Sequence, residues 1–240
     1  MSKDLVIAGT NLNDFGVVIS GEGVYNAAER DVETVSVAGR NGDLTYDMGR
    51  YKNIPVKYPA SIARNFPENA EALRAFLSSL TGYQRIEDGY YPDLFRLGRF
   101  VGPLEFSVGP LGRTGEMTLK FDCKPQRFLE SGEFPVTLKS DGSIFNPTQF
   151  PALPLIRVYG YGDGSITVGD TTVEIKAMED TITLDCETMD AYHEADSGAL
   201  ESRNSIIYAP YFPELLPGEN AVDRSGGVTI IEFIPRWWTL

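Results

Sequence analysis

The residues able to carry covalent or acid–base chemistry are few: one histidine and two cysteines stand among 34 Asp+Glu in a chain of 240 residues. Ser–His–Asp catalysis would have to use His193, which lies in the polar run DAYHEADSGA beside Glu194 and Asp196. A solvated loop side chain is the simpler reading there. Zinc sites are built from several Cys, His and carboxylate ligands, and His193, Cys123 and Cys186 do not assemble one. Paired carboxylates such as Glu87–Asp88 or Asp185–Glu187 could in principle hydrolyse a glycoside. Glu87 and Asp88, however, are strand neighbours and point to opposite faces. Asp180, Asp185, Glu187 and Asp190 lack the dense acidic spacing of a calcium loop. Gly160, Gly162 and Gly164 alternate without the strand–loop–helix setting of a nucleotide-binding motif and read as a glycine-rich strand connection. No catalytic residue, metal or cofactor is expected.

Contact chemistry is abundant instead. The segment YQRIEDGYYPDLFRLGRF (83–100) sets Tyr83, Tyr90 and Tyr91 among Arg85, Arg96 and Arg99. Tyr and Arg are enriched where proteins bind one another, because each buries area while keeping a polar group. A core strand flanked by surface arginines is the competing reading. At the far end, IPRWWTL places Trp237 beside Trp238. They could stack on a sugar, together with Tyr159 and Tyr161, or lock the last strand into the fold, and closure is the favoured reading.

The elements that would position these residues are mainly strands. Short β-rich runs recur between clusters of Gly, Pro, Asn and Asp. Val35 and Val37 alternate with polar neighbours, Asn41-Gly42 predicts a type I′ hairpin turn, and Leu44 and Tyr46 resume the alternation. Arg40, Asn41 and Asp43 would stand at its tip. Ile54, Val56 and Tyr58 follow with period two, and Pro55 points to an edge or irregular stretch. Met117, Leu119, Phe121 and Cys123 mark a half-buried strand. One helix is predicted near 67–81: Leu73, Phe76, Leu77 and Leu80 share a face, Pro67 suits the first turn and Gly82 supplies a left-handed stop.

Turn-forming clusters between about 130 and 150 predict a boundary, giving an N-terminal domain (1–130), a linker (131–147) and a C-terminal domain (148–240). No helical period follows residue 150, and strands at regular spacing there indicate a β-sandwich. Charge divides along the same line. Residues 1–130 hold 15 Lys+Arg and 17 Asp+Glu, whereas residues 131–240 hold 6 and 17. The whole carries −13, which disfavours autonomous nucleic-acid binding. The 42% hydrophobic content excludes global disorder. The opening MSKDLVIAGT is unlike a secretory signal, and no apolar run approaches a membrane span. Synthesis in a cytoplasm is expected, with both cysteines as buried free thiols.

Taken in order, several segments resemble the distal tail protein (Dit) family of siphophages, the hub of the tail tip or baseplate. In the first half these are RDVETVSVAGRNGDLTYDMGRYKNIPVKYP (30–59), LSSLTGYQRIEDGYYPDLFRLGRF (77–100) and FDCKPQRFL (121–129). In the second half they are NPTQFPALPLIRVYG (146–160), DCETMDAY (185–192) and PRWW (235–238). The resemblance implies a mainly β fold: a ring-forming N-terminal domain with one packed helix, and a C-terminal galectin-like β-sandwich. It further implies a homohexameric ring in the virion, at the distal end of the tail. Such a ring would contact the tail tube or its terminator, the tape measure protein and a tail-associated lysin or fibre, and would offer a platform for receptor-binding proteins. On that reading Arg40, Asn41, Asp43, Tyr83, Arg85, Tyr90, Tyr91, Arg96 and Arg99 are candidates for ring or tube contacts. A carbohydrate-binding adhesin that uses the sandwich domain is the alternative.

Overall fold

Strands make up 54% of the chain and helices 12%, so the protein is mainly β, as the recurring β-rich runs predict. The computed structural model describes residues 4–21, 23 and 26–240. The chain divides into two compact units, one running to Arg127 and including Leu240, the other Phe128–Thr239.

The first unit contains β1 (Leu5–Ile7), β2 (Thr10–Asn11), β3 (Val17–Ile19), β4 (Arg30–Val35), β5 (Leu44–Tyr51), β6 (Ile54–Ile62), α1 (Phe66–Ser79), β7 (Gln84–Asp88), β8 (Leu94–Phe100), β9 (Phe106–Val108) and most of β10 (Gly115–Leu129). Its sheet runs β2-β1-β7-β8-β10-β6-β3, and β9 also pairs with β10. The spine is the antiparallel β6–β10 ladder, paired from Ile54↔Cys123 to Ile62↔Gly115. Alternation sends Ile54, Val56, Tyr58, Ala60 and Ile62 inward, against Met117, Leu119, Phe121 and Cys123. Pro55 is tolerated because β3 covers only Ala60–Ile62 of the outer edge of β6, so no strand there calls for the missing N–H.

Helix α1 covers the apolar face with Phe66, Ala70, Leu73 and Leu77. Pro67 lies in its first turn, as predicted. The helix ends earlier than the Gly82 stop implied: Leu80 is already extended, and Gly82 takes its positive φ of 69° two residues later. At the helix start, the Phe66 ring occupies the space where a side chain at position 115 would be. A Cβ on Gly115 would lie 2.1 Å from that ring.

The hairpin differs from its prediction. Val35 lies opposite Leu44, so residues 36–43 form one long connection rather than a two-residue turn. Gly39 and Gly42 take positive φ there and Asn41 does not; a type I′ turn would need it at both central positions. Both faces of β4 and β5 are exposed along almost their whole length.

The second unit adds β11 (Val136–Leu138), β12 (Gly142–Asn146), β13 (Leu155–Val168), β14 (Thr171–Met178), β15 (Ile182–Asp185), β16 (Asp190–Glu194), β17 (Leu200–Ser202), β18 (Ile207–Tyr208), β19 (Gly218–Ile234) and β20 (Trp238–Thr239). The segment expected as a linker, 131–147, is instead structured. It supplies β11 and β12, both paired with β19, and its turn residues only separate those two short strands.

Two long strands organise this unit. β13 pairs with β19 from Leu155↔Ile234 to Val168↔Val222, with register shifts between Tyr159 and Gly164. Before the shifts β13 is flanked by β15, and after them by β14. The irregularity is therefore a corner at which both strands pass from one layer to the other. The glycines permit the approach: a Cβ on Gly227 would stand 1.8 Å from the Tyr161 carbonyl oxygen, and one on Gly160 would stand 2.2 Å from the Gly227 carbonyl oxygen. Gly160, Gly162 and Gly164, expected as a connection between two strands, lie instead inside the single strand β13, at its register shifts.

The two kinds of glycine at this corner should respond differently to alanine. Gly162 has open space around it but a φ of +79°, so Gly162→Ala should cost about 1–2 kcal/mol. Gly227→Ala forces a backbone contact and should cost about 3 kcal/mol or more. Urea denaturation of both variants checks this, and equal tolerance at the two positions would refute the close-approach account.

Candidate assembly surfaces

The exposed β4–β5 ribbon is the most distinctive surface of the first unit. Cross-strand partners share a face, so Glu33↔Tyr46 and Val35↔Leu44 lie on one side, while Val32↔Asp47 and Thr34↔Thr45 lie on the other. Met48 continues the first side by alternation. Tyr46 is 66% exposed and Val35 51%, with Leu44 and Met48 also exposed. A two-stranded ribbon is marginal by itself in water. Ion pairs hold its base: Arg30 Nε–Asp47 at 2.7 Å, Arg50–Asp31 at 2.8 Å and Lys52–Glu29 at 3.2 Å. Hydrogen bonding from Arg30 holds the Asp47 carboxyl below the usual carboxylate range. Arg40, Asn41 and Asp43 all stand exposed in the connection at the tip. The outer half of the ribbon thus leaves Val35, Leu44 and Tyr46 uncovered on one side, beside Glu33 and opposite Thr34 and Thr45, above a charged, anchored base.

The Tyr/Arg segment 83–99 divides into outward and inward residues. Tyr83 and Arg99 are exposed at its margins; the Tyr83 hydroxyl accepts from Asn53 Nδ2 at 2.6 Å, and Arg99 Nε donates to Asp122 at 3.0 Å. Arg85 stacks on the Phe95 ring with its guanidinium carbon 3.6 Å from the centroid, and pairs with Glu87. The Tyr90 hydroxyl donates to the Ser20 carbonyl at 3.0 Å, and the Tyr91 ring lies under Arg127. Arg96 is 3% exposed, so its inclusion among surface contact residues is corrected. Sequence proximity groups these side chains, but strand alternation sends Arg96 to the core side.

The sugar-contact candidates scatter. Trp237 is buried in the core of the second unit. Trp238 stacks on Phe150 at 4.5 Å and donates its indole N–H to the Pro151 carbonyl at 2.8 Å. The pair closes the strand and presents no open aromatic platform, so Trp237 leaves the sugar-contact set. Tyr161 is highly exposed at the glycine corner. Tyr159 lines a polar groove of about 720 Å³ with Arg157, Thr183, His193, Glu194 and Arg203. Arg157 is paired with Glu232 at 2.8 Å, and Arg203 with Glu201 at 2.8 Å. Sequence reasoning missed this grouping, because its members come from β13, β15, β16 and the turn after β17 and meet only through strand order.

Nothing resembling a catalytic constellation forms among the described residues. His193 Nδ1 contacts the Thr181 carbonyl at 2.8 Å, and its Nε2 lies 3.4 Å from Asp180. Asp88 is buried and Glu87 faces outward against Arg85, the opposed geometry expected of strand neighbours. No group of three or more His, Cys, Asp or Glu among the described residues could hold a metal ion, and no helix is long and apolar enough to cross a membrane.

No family model and no curated protein matches the chain. Solved structures do, and the likeness extends from end to end. The chain has the fold of a phage Dit protein. The Dit (gp 19.1) protein of SPP1, described as a paradigm of the hub adsorption apparatus in phages that infect Gram-positive bacteria, aligns at a TM-score of 0.76 and 14% identity, over 99% of both chains. A phage P2 baseplate structure in its activated conformation with Ca aligns at 0.52 and 8% identity, over 97% of this chain and 98% of that one. The same baseplate with Sr aligns at 0.51 and 8% identity, over 95% and 97%. The resemblance read from the sequence and the three-dimensional likeness point to the same fold. These neighbours are phage hub and baseplate proteins by their descriptions.

The only thiols in the sequence, Cys123 and Cys186, both lie buried and free. Burial pushes each up to about 12, so both stay protonated, and hence poorly nucleophilic, across the physiological range. Ellman's reagent at pH 8 should therefore leave the native protein unlabelled over an hour and label two thiols per chain in guanidinium. Labelling of the native protein within minutes would contradict the burial of both.

Proposed function

We propose that this protein is a structural component of a phage tail: a hexameric hub ring at the distal end that joins the tail tube to the tail tip or baseplate and its host-recognition proteins. The observation that carries this reading is the end-to-end likeness to a Dit hub, which spans 99% of both chains and so includes both units. Residues 1–130 form the ring in this reading, and residues 148–240 form a galectin-like sandwich at the periphery. A cyclic ring uses heterologous contacts, in which each copy offers two different complementary patches. The uncovered ribbon face of Val35, Leu44, Tyr46 and Met48 supplies one such patch, with Arg40, Asn41 and Asp43 at its tip and Tyr83 and Arg99 as further candidates. The near-neutral first half suits close packing of copies, whereas the acidic second half is better placed apart from its neighbours. The partners are then the tail tube or its terminator, the tape measure protein, a tail-associated lysin or fibre, and receptor-binding proteins. The protein acts by assembly and not by catalysis.

The polar groove around Tyr159 gives a second reading its one specific observation: a cleft lined with hydrogen-bonding side chains and one aromatic ring suits a neutral saccharide, as an adhesin would require.

Light scattering of the purified protein, with negative-stain images of the same peak, tests the first reading. Six copies of the 26.5 kDa chain give about 159 kDa and ring-shaped particles. Tyr46→Ser with Met48→Ser should shift that peak toward the monomer, and Arg40→Glu should weaken the ring. A wild-type monomer at every concentration that binds glycans, and loses them in Tyr159→Ala, would favour the adhesin instead.

A further inference from the structure

The connection between β4 and β5 holds two neighbouring residues placed to react with each other. Among the asparagines of the chain, Asn41 alone is followed by glycine. Residues 36–43 leave the ribbon at the Val35↔Leu44 pair, and Asn41 and Gly42 are both exposed. Gly42 takes a φ of +79°, and the place of its missing Cβ is open, with nothing within 4 Å. The connection is held by the Arg40 N–H, which donates to the Val37 carbonyl at 3.2 Å. Neither the Gly42 N–H nor the Asn41 carboxamide takes part in a hydrogen bond among the described residues.

Those conditions let a backbone nitrogen reach the side chain that precedes it. Glycine has no side chain to shield its nitrogen or restrict the approach. An amide already held in a hydrogen bond would first have to give that bond up. Gly42 N attacks Asn41 Cγ, and the new N–Cγ bond closes a cyclic imide. The Cγ–Nδ2 bond breaks and Nδ2 leaves as ammonia, taking up a proton in exchange for the one lost from Gly42 N. Water then opens the imide and leaves a carboxylate and a proton. Cleavage of the N–Cγ bond gives aspartate; cleavage of the bond to the Asn41 backbone carbonyl carbon gives isoaspartate, whose main chain runs through the side chain.

Asn204 supplies the contrast, because it precedes another small residue, Ser205. Its Oδ1 accepts from the Ala191 N–H at 2.6 Å and its Nδ2 donates to Asp190 at 2.9 Å, so its carboxamide is held in place. We propose that Asn41 is a site of self-modification, converted through Gly42 into aspartate and isoaspartate in the unassembled native protein. The tip then carries a new carboxylate two positions from Asp43, with Arg40 alone to offset the two. The consequence for assembly rests on the hub reading. Arg40, Asn41 and Asp43 are candidates for a ring contact there, so an added charge makes a converted chain a poor subunit, and a ring that covers the tip shields Asn41 from water.

The test incubates the purified full chain at 37 °C and pH 8 and digests samples with trypsin over several days. The peptide from Asn41 to Arg50 should gain the mass of an amide turned into an acid. It should also split into two chromatographic forms, one of them a substrate for isoaspartate methyltransferase. Gly42→Ala should slow the conversion several-fold, since its Cβ crowds the attacking nitrogen. Conversion of Asn41 no faster than that of Asn204, or an undiminished rate in Gly42→Ala, would overturn the proposal. Ring and monomer peaks separated after incubation check the assembly consequence: converted chains should collect in the monomer, and an equal share in both peaks would overturn it. A protein that converts Asn41 yet never forms a ring refutes the hub reading and leaves the modification site standing.

Discussion

Two backbones that pass with no room for a side chain between them govern the second unit. At the Tyr161–Gly227 crossing, β13 and β19 are so close that only glycine fits. Because the two strands remain paired on both sides of the crossing, each serves both layers, and the core is enclosed by one bent ribbon rather than by two separate sheets pressed together. Four strands attach to that ribbon directly, β11 and β12 to β19 and β14 and β15 to β13, while β16 and β18 attach to β15 and β14 in turn. The groove around Tyr159 and the exposed Tyr161 both lie where they do because this corner bends.

The first unit has a different logic. Its β6–β10 ladder presents one apolar face, and α1 covers it. Within that face Tyr58 is fully buried, its hydroxyl tied to Asp88, and burial together with Asp88 raises it well above its ordinary value. A hydroxyl and a carboxylate in such a place specify one arrangement of β6 against β7, since any slip of register would strand both groups without partners.

What could be read from the chain beforehand follows from the range of each interaction. The helix, the alternation of Met117–Cys123 and the absence of any α-helix beyond residue 150, where only a 3-10 turn at Asn204–Ile206 occurs, are local patterns, and they survive folding with shifts of one or two residues. The hairpin formed but its tight turn did not: Val35, Leu44 and Tyr46 alternate in paired strands, yet residues 36–43 make a long connection and no core lies beneath the strands, which alternation does not reveal. Residues 131–147 carry turn chemistry that hid two short strands, because their pairing with β19 depends on residues far along the chain, Val136 on Phe233 and Gly142 on Val222. Arg96 shows the same limit at a candidate site. Composition made it a contact residue, and only the neighbours that register brings beside it reveal a buried cation.

Both tryptophans, Trp237 and Trp238, belong to the second unit, whereas Tyr58, Tyr83, Tyr90 and Tyr91 belong to the first. Indole emission from the buried Trp237 therefore follows the core of the second unit, and its red shift on unfolding marks the loss of that core. Circular dichroism sees both units. The protein thus carries its own pair of spectroscopic reporters, and any separation between their two melting curves measures how independently its halves come apart.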